Sequence, residues 1–379
     1  MSHRKSVVVV GGGIGGLVSA QVLKALSSTQ RGFDVMVLEE SSRPGGQVRT
    51  EKLVADNGRG NVIIEAGAEG FVARSAVYPK VAEMAGLDSS QLVSQQRIAD
   101  NELSWNQDNN AWDIQELDPG VAAMKLGFQV PKEERGRGIR SFRLGMGQLV
   151  DKISANIAVK TGAKVTSVEK TGGGFSIGYD LVGIQNKLIA DAVVVATPNR
   201  VIKSLLGSRY DLPDLPHHSH VSVHLLVPEN ATAIPPRSFT IPVDIQSRFK
   251  GLRACSLINE KFPGRAPTNE SLFRFYFRPE SVESVNDRAF WVDSAVGALD
   301  EIFGLRSPIT WTHFAPWVSA LPTFSEEYLG KCDELKRILR KDYDSKLVLV
   351  GAEVTGAGLE AAARSGFDAA VSLVNVLYE

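Results

Sequence analysis

Val7-Val8-Val9-Val10-Gly11-Gly12-Gly13-Ile14-Gly15-Gly16, with Val35-Met36-Val37-Leu38-Glu39 downstream, is the stretch on which the reading of this chain turns. Four consecutive β-branched residues fit a strand covered on both faces. Residues 14–27 continue as a helix, with Leu17, Ala20, Leu23 and Leu26 as its apolar positions. Between the two, Gly11, Gly13 and Gly16 make the pattern G-x-G-x-x-G. The first glycine permits a tight turn, the second lets a pyrophosphate approach the backbone, and the third lets helix and strand pack closely. The free N–H groups and the positive end of the helix dipole then meet the phosphates. Glu39 follows Gly16 by 23 residues, near the spacing at which a carboxylate grips a ribose hydroxyl and repels a 2′-phosphate. Strand, glycines, helix, strand and acid in that order predict a dinucleotide-binding unit.

Length and composition set further bounds. A chain of 379 residues suits two domains. At 43 % apolar and 22 % charged it reads as an ordinary soluble globular protein, and a net charge of -1 offers no footprint for nucleic acid. Cys255 and Cys332 lie far apart without a C-x-x-C, so neither a redox disulfide nor a zinc site is supported. The valines behind His3, Arg4 and Lys5 are too few for the apolar core of a signal peptide, and no run of 18 apolar residues is present. The expectation is a cytoplasmic protein, with peripheral attachment to a membrane left open.

Further motifs follow. Arg43-Pro44-Gly45-Gly46 is a turn where backbone passes close to something bulky, with Arg43 and Arg49 as candidate phosphate ligands. Leu53-Val54 and Val62-Ile63-Ile64 bracket Asp56-Asn57-Gly58-Arg59-Gly60 as a hairpin. Glu65 and Glu69 are placed to cap the next helix, read from Val77 to Ala85 with Pro79 in its first turn. The polar stretch 88–138 reads as a hairpin around Trp105 and Trp112 with an exposed charged loop from Pro131 to Gly138. Gly145 to Val150 leading into a helix that ends near Ala158, a strand at Lys164 to Glu169, a meander around Gly172 to Gly174, and a buried strand from Asp191 to Thr197 come next. From Tyr210 to Pro322, alternation such as Val221-Ser222-Val223-His224-Leu225 and Leu272-Phe273-Arg274-Phe275-Tyr276-Phe277 predicts an antiparallel sheet. The end returns to a buried strand at Leu347 to Val350, a glycine-rich turn at 351–358 and a helix over 359–377. His220 and His224 share one face of a strand, about 13 Å apart, with no carboxylate spacing to complete a metal site. No metal is expected.

The fold class expected is α/β: a Rossmann-like dinucleotide-binding domain interleaved with a sheet-rich α+β substrate domain. The first comprises 1–75, 141–208 and 330–379, and the second 76–140 and 209–329. G-G-G-I-G-G-L with Glu39, R-P-G-G-Q-V-R-T, I-E-A-G-A-E-G-F, D-A-V-V-V-A-T-P and the terminal G-A-E-V-T-G-A-G-L-E-A-A-A-R-S-G resemble the FAD-dependent amine oxidase superfamily. Within it the chain is most similar to protoporphyrinogen oxidases of the bacterial type, through Gly67 to Arg74, Cys255 to Leu257 with Lys261-Phe262-Pro263, and Ala320-Leu321-Pro322 with Tyr328.

The resemblance implies an FAD-binding domain of the amine-oxidase type, with FAD along the first strand. Gly11, Gly13, Ile14, Gly15 and Gly16 would lie at the pyrophosphate, with Glu39 and Glu40 at the ribose. Arg43, Gly45, Gly46, Gln47 and Arg49 would line phosphates and flavin, and Gly67 and Ala68 would cover the isoalloxazine. Val165 would flank the adenine, Ala196 and Thr197 would close the site, and Gly351, Glu353, Val354, Gly358 and Leu359 would meet the ribityl side. The implied activity removes hydride equivalents from a carbon beside nitrogen, with reoxidation by dioxygen. Two departures bear on substrate: 88–140 is short for a substrate-covering, membrane-associated subdomain, and Gln47 stands where Arg or Lys is common.

A flavin carries the hard step, so the protein need supply only binding, orientation and a dry pocket. That suits a sequence without a Ser-His-Asp triad or metal motif. Candidate pocket residues are Phe273, Phe275, Tyr276, Trp311, His313, Phe314 and Trp317, and Arg74 is a candidate for a substrate acid group. The substrate expected is a small heterocyclic or amine-like molecule. Three readings stay open: a porphyrinogen-type oxidase, an amine oxidase or desaturase of secondary metabolism, and a non-catalytic flavin-binding subunit. A homodimer and a partner subunit covering the shortened region are both compatible with the sequence.

Overall fold

The computed structural model describes residues 4–27, 32–54, 60–96, 101–106, 108–117, 121, 138–234, 238–241 and 249–378. The first strand, Lys5–Val10, is the middle of a five-stranded parallel sheet ordered Leu347–Leu349, Ala192–Val195, Lys5–Val10, Phe33–Leu38 and Ala158–Lys160. Successive side chains of a strand point to opposite faces, and the four valines divide accordingly. Val7 and Val9 enter a core with the first helix, Ile14–Ala25, and the C-terminal helix, Leu359–Tyr378. Val8 and Val10 enter another, shared with an antiparallel layer (Ala163–Thr171, Gly174–Leu181, Ile184–Ala190) and the helix Glu326–Asp342. All four are buried, as a doubly covered strand requires. The helix Val77–Met84, which the reading of the sequence groups with 76–140, packs Val77, Tyr78, Val81 and Ala82 into the first core.

Glycine sets how closely these layers approach. A Cβ on Gly16 would overlap the carbonyl oxygen of Gly11, and one on Gly366 would overlap that of Gly15. The first and C-terminal helices meet at this point, with Ser19 Oγ 3.0 Å from the Gly366 carbonyl.

The hairpin pairs Thr50–Val54 with Asn61–Glu65, its turn at 55–59 lying outside the described residues. Glu65 does cap a helix, but not the next one. Its Oε1 accepts from Met146 N at 2.6 Å and its Oε2 from Thr50 Oγ1 at 2.7 Å, while Thr50 Oγ1 accepts from Gly147 N at 2.7 Å. These bonds close the N-terminus of the helix Gly147–Asn156, a pairing across about eighty residues that local spacing does not reveal.

The second layer is a seven-stranded sheet ordered Trp311–Pro322, His217–Pro228, Glu270–Phe277, Leu252–Leu257, Phe239–Thr240, Asn101–Asn106 and Ala111–Glu116. Its pairs are antiparallel except for the bridge Thr240 to Glu102. The hairpin expected around Trp105 and Trp112 is thus the sheet's far edge; the charged loop at 131–137 lies outside the described residues. Val221, Val223 and Leu225 share a face with Phe273, Phe275 and Phe277, and this face is packed by the helix Arg288–Phe303. No helix among the described residues is long and apolar enough to cross a membrane.

Gly366→Ala should lower thermal stability by about 1–3 kcal/mol, because the atoms the methyl would overlap most are backbone. Gly330→Ala, on an exposed helical site with open space around it, should raise stability by about 0.5–1 kcal/mol. Thermal melts of both variants check the contrast, and equal melting temperatures would refute it.

Candidate functional site

Four segments distant in sequence converge at the start of the first helix. Gly13 is its N-cap, no side chain caps it, and a Cβ there would meet nothing. The first-turn N–H groups of a helix lack partners within the helix, so this end offers donors to an anion. Gly12 N donates to Glu39 Oε2 at 2.7 Å, and Ser41 N to Glu39 Oε1 at 2.8 Å, which fixes the carboxylate beside the glycine loop. Gly45 N donates to Gly12 O at 2.7 Å, and Gly46 lies against Gly13, so the double glycine is folded directly onto the triple one. From the other end of the chain, Gly351 sits 3.0 Å from the position a Cβ on Gly15 would take. Gly351, Gly356 and Gly358 all have φ above +100° and face open space. Thr197 Oγ1 is buried with no hydrogen-bond partner among the described residues, and its methyl would touch a Cβ on Gly11. A groove without Cβ atoms, an uncapped helix end, an oriented carboxylate and an orphan hydroxyl fit a dinucleotide cofactor.

The remaining expected contacts fall into two groups. Beside the groove, Ala68 N donates to Gln47 O at 3.0 Å, Ala196 N donates to Val10 O at 2.7 Å, and the Leu359 carbonyl accepts from Tyr78 OH at 3.1 Å. Glu40 is exposed and pairs with Lys164 at 3.4 Å. Others are occupied or buried. Arg43 turns back on its own loop, donating to the carbonyls of Pro44, Gly46 and Val48, and burial lowers its pKa. Arg49 Nη2 lies 2.7 Å from Glu51 Oε1. Glu353 Oε2 accepts from Asn199 N at 2.7 Å, and its Oε1 is 3.1 Å from His217 Nε2. Ile14 and Val165 are core residues.

The polar face of the large sheet closes the other side. Pairing across the sheet puts Ser222 beside Tyr276 and Ala315, His224 beside Arg274 and His313, and His220 beside Trp317. Phe273, Phe275 and Phe314 belong to the opposite face and the apolar core, so they are not wall residues. Trp317 Nε1 donates to Ala66 O at 2.7 Å, Arg274 Nη2 to Gly67 O at 2.9 Å, and Gln47 Nε2 to Ala320 O. His313 Nε2 meets Glu51 Oε2 at 2.8 Å. Trp311 stacks on His313 lower in this seam, next to Leu226, Leu272, Val62 and Ile64. Tyr276, His220 and Trp317 therefore stand at the end nearest the glycine groove. Arg74 is elsewhere, near Glu360, whose pKa burial raises against the opposing influence of Ser75 and Arg74.

Alternation in the sequence marked Arg274 and Ser222 only as sheet positions, and Lys261 entered only as part of the resemblance, yet they organise the seam. Lys261 Nζ pairs with Glu69 Oε2 at 2.5 Å, so Glu69 is an ion-pair partner and not a helix cap. Burial is the largest influence on Glu69, but Lys261 and Arg274 together outweigh it and hold its pKa down. Burial and then Arg274 push His220 down to about 3 and His224 well below the usual imidazole range, so both are neutral. Ser222 Oγ accepts from Arg274 Nε and Nη2 at 3.1 and 3.0 Å, and its own proton is left for His220 Nε2 at 2.9 Å. Glu65 is pushed up to about 7 by burial, which Arg265 at 3.6 Å and two hydrogen bonds only partly offset.

A family model described as flavin containing amine oxidoreductase matches residues 114–374, and one described as NAD(P)-binding Rossmann-like domain matches 9–86. Coproporphyrinogen III oxidase of Bacillus subtilis (strain 168) is 24% identical over 244 residues, covering 62% of this chain and 50% of that protein. The chain thus aligns with about half the length of that relative. Among solved structures, an Exiguobacterium sp. 255-15 protein assigned as a protoporphyrinogen oxidase superposes with a TM-score of 0.76 at 16% identity, covering 98% of this chain and 99% of that one. A wild-type putrescine oxidase bound to putrescine superposes with a TM-score of 0.66 at 12% identity, with 98% and 99% covered. At these identities the structural likeness is one of fold.

The raised pKa of Glu65 has a consequence for stability. The folded state binds this proton more tightly than the unfolded chain, so the contribution is complete below the unfolded carboxylate range and is lost as pH rises through about 7. Glu65→Gln mimics the protonated acid. Its melting temperature should gain on that of the wild type between about pH 5 and about pH 8, and parallel pH profiles for the two proteins would rule this out.

Proposed function

The chain belongs to the flavin containing amine oxidoreductase family, and we propose that it is an FAD-dependent oxidase of porphyrinogen type, acting on a neutral ring carbon beside nitrogen. It is a flavin oxidoreductase and its cofactor is FAD. In this reading Gly11, Gly13 and Gly16 admit the pyrophosphate and Glu39 holds the adenosine ribose. The turn 351–358 lines the ribityl side, and Gly67 and Ala68 lie over the isoalloxazine. Bound FAD supplies the two-electron acceptor for hydride.

The observation that carries the substrate reading is the state of the carboxylates along the seam. Glu51 is engaged by His313 and Arg49, Glu65 by Thr50, Met146 and Arg265, and Glu69 by Lys261. A cationic amine entering here would find these acids occupied and Arg274 nearby, so it would lose water without a matching charge. A neutral nitrogen heterocycle has no such cost. Tyr276, His220 and Trp317 would wall it, and the substrate's own nitrogen lone pair would stabilise the cation formed as hydride leaves. No strong protein base is then needed, which agrees with two neutral histidines beside Arg274. Dioxygen is the proposed final acceptor.

Anaerobic titration decides between substrates. Protoporphyrinogen or coproporphyrinogen should bleach the oxidised flavin band, while putrescine, other primary amines and cyclic imines should not. Bleaching by an amine alone would sink the porphyrinogen reading, and no bleaching by any candidate would favour the non-catalytic subunit. Glu39→Ala should purify with several-fold less FAD at equal protein, and unchanged occupancy would remove the ribose assignment.

A further inference from the structure

Arg274 is 3 % exposed, and no carboxylate is within ion-pair distance of it among the described residues. Its Nη2 holds the Gly67 carbonyl at 2.9 Å, two of its nitrogens share Ser222 Oγ, and its guanidinium carbon lies 4.6 Å from the centre of the Tyr276 ring. Glu69, an acid whose pKa Arg274 helps to lower, already belongs to Lys261 at 2.5 Å. Three largely buried cations, Lys261, Arg265 and Arg274, face two carboxylates, Glu65 and Glu69. The layer beneath the Gly67 turn therefore carries an excess of at least one positive charge, and neutral His220 and His224 do not cancel it.

An unpaired buried charge is costly, and an apolar side chain would pack here with less penalty. The Gly67 turn that Arg274 holds abuts Gln47 and Trp317, and Gln47 follows Gly46, which lies against Gly13 of the groove. The Gly67 peptide thus has the guanidinium on its carbonyl and Gln47 and Trp317 against its α-carbon. We propose that Arg274 is a positioning residue that fixes the Gly67 turn and places beside the cleft the positive charge that favours the reduced state of the bound flavin. This rests on the reading that Gly67 covers the isoalloxazine and is independent of the substrate. Hydride transfer breaks a substrate C–H bond and adds two electrons and a proton to the flavin, leaving the substrate one unit more positive and the flavin one unit more negative. A fixed cation beside the flavin favours that product.

The test is redox potentiometry of the purified FAD-bound protein, using dithionite and a reference dye, which needs no substrate. Arg274→Gln keeps a donor toward Gly67 and removes the charge. At a fixed potential its reduced-to-oxidised ratio should fall at least tenfold, about 30 mV for a two-electron couple. Arg274→Lys keeps the charge and should stay within about threefold of the wild type on the same conversion. A ratio in Arg274→Gln close to the wild-type value, or one in Arg274→Lys that falls as far, overturns the proposal. If Arg274→Gln does not retain FAD, Lys261→Met carries the test, since it leaves Arg274 as the cation beside Glu69 and cancels the same unit of charge. An unchanged ratio there overturns the proposal as well. Wild-type protein that binds no FAD would instead mark failure of the cofactor reading.

Discussion

Backbone touches backbone where Gly16 meets the Gly11 carbonyl and where Gly366 meets that of Gly15. Neither contact leaves room for a side chain. The first brings the start of the helix down onto the end of the first strand, so its N–H groups open at the sheet's edge. The second presses the C-terminal helix against the first, and so delivers the turn 351–358 to the same edge. With Gly45 bonded to Gly12 and Gly46 resting on Gly13, three remote glycine clusters make one groove. The cofactor site depends on this close packing before it depends on any functional side chain.

The second constraint is that polar groups taken out of water must find partners. One face of the large sheet is aliphatic and aromatic and is covered by the helix Arg288–Phe303. The other carries Ser222, His224, Arg274, Tyr276, His313 and Trp317, and much of it is buried against the segment comprising residues 47–54 and 60–69. Trp317, Arg274, Gln47 and His313 each commit donors or acceptors to that segment or to the strand facing it. The bonds that satisfy the buried sheet face are the same ones that hold the covering turn over the groove, so stability and site geometry are coupled.

Charge along this seam is unevenly matched. Each carboxylate there has its partner, whereas Arg274 has none within ion-pair distance among the described residues, since Glu69 is paired with Lys261. Burial first, and then Arg274, depress His220 and His224, and the excess cation makes this wall unfavourable for an ammonium group. A member of a family described by amine oxidation thus has a wall better suited to neutral rings or to negative charge arriving in the cleft.

Much of this was legible in the residues themselves. Four valines, spaced glycines and a following acid specify a strand, a turn and a helix through local geometry, and period-2 alternation separated the two faces of each sheet strand. Alternation could not say which face was the wall, and Phe273, Phe275 and Phe314 fell on the wrong side of that choice. Nor could spacing reveal that Glu65 caps a helix some eighty residues on, that Glu69 pairs with Lys261, or that Arg43 folds back on its own loop. Chain order alone is enough to set the backbone conformations that only glycine and β-branched residues permit, because those are local. Which buried charges meet, and which of them is left in excess beside the cleft, was decided by the tertiary structure, because Coulomb energy and desolvation depend on distances that chain order does not contain.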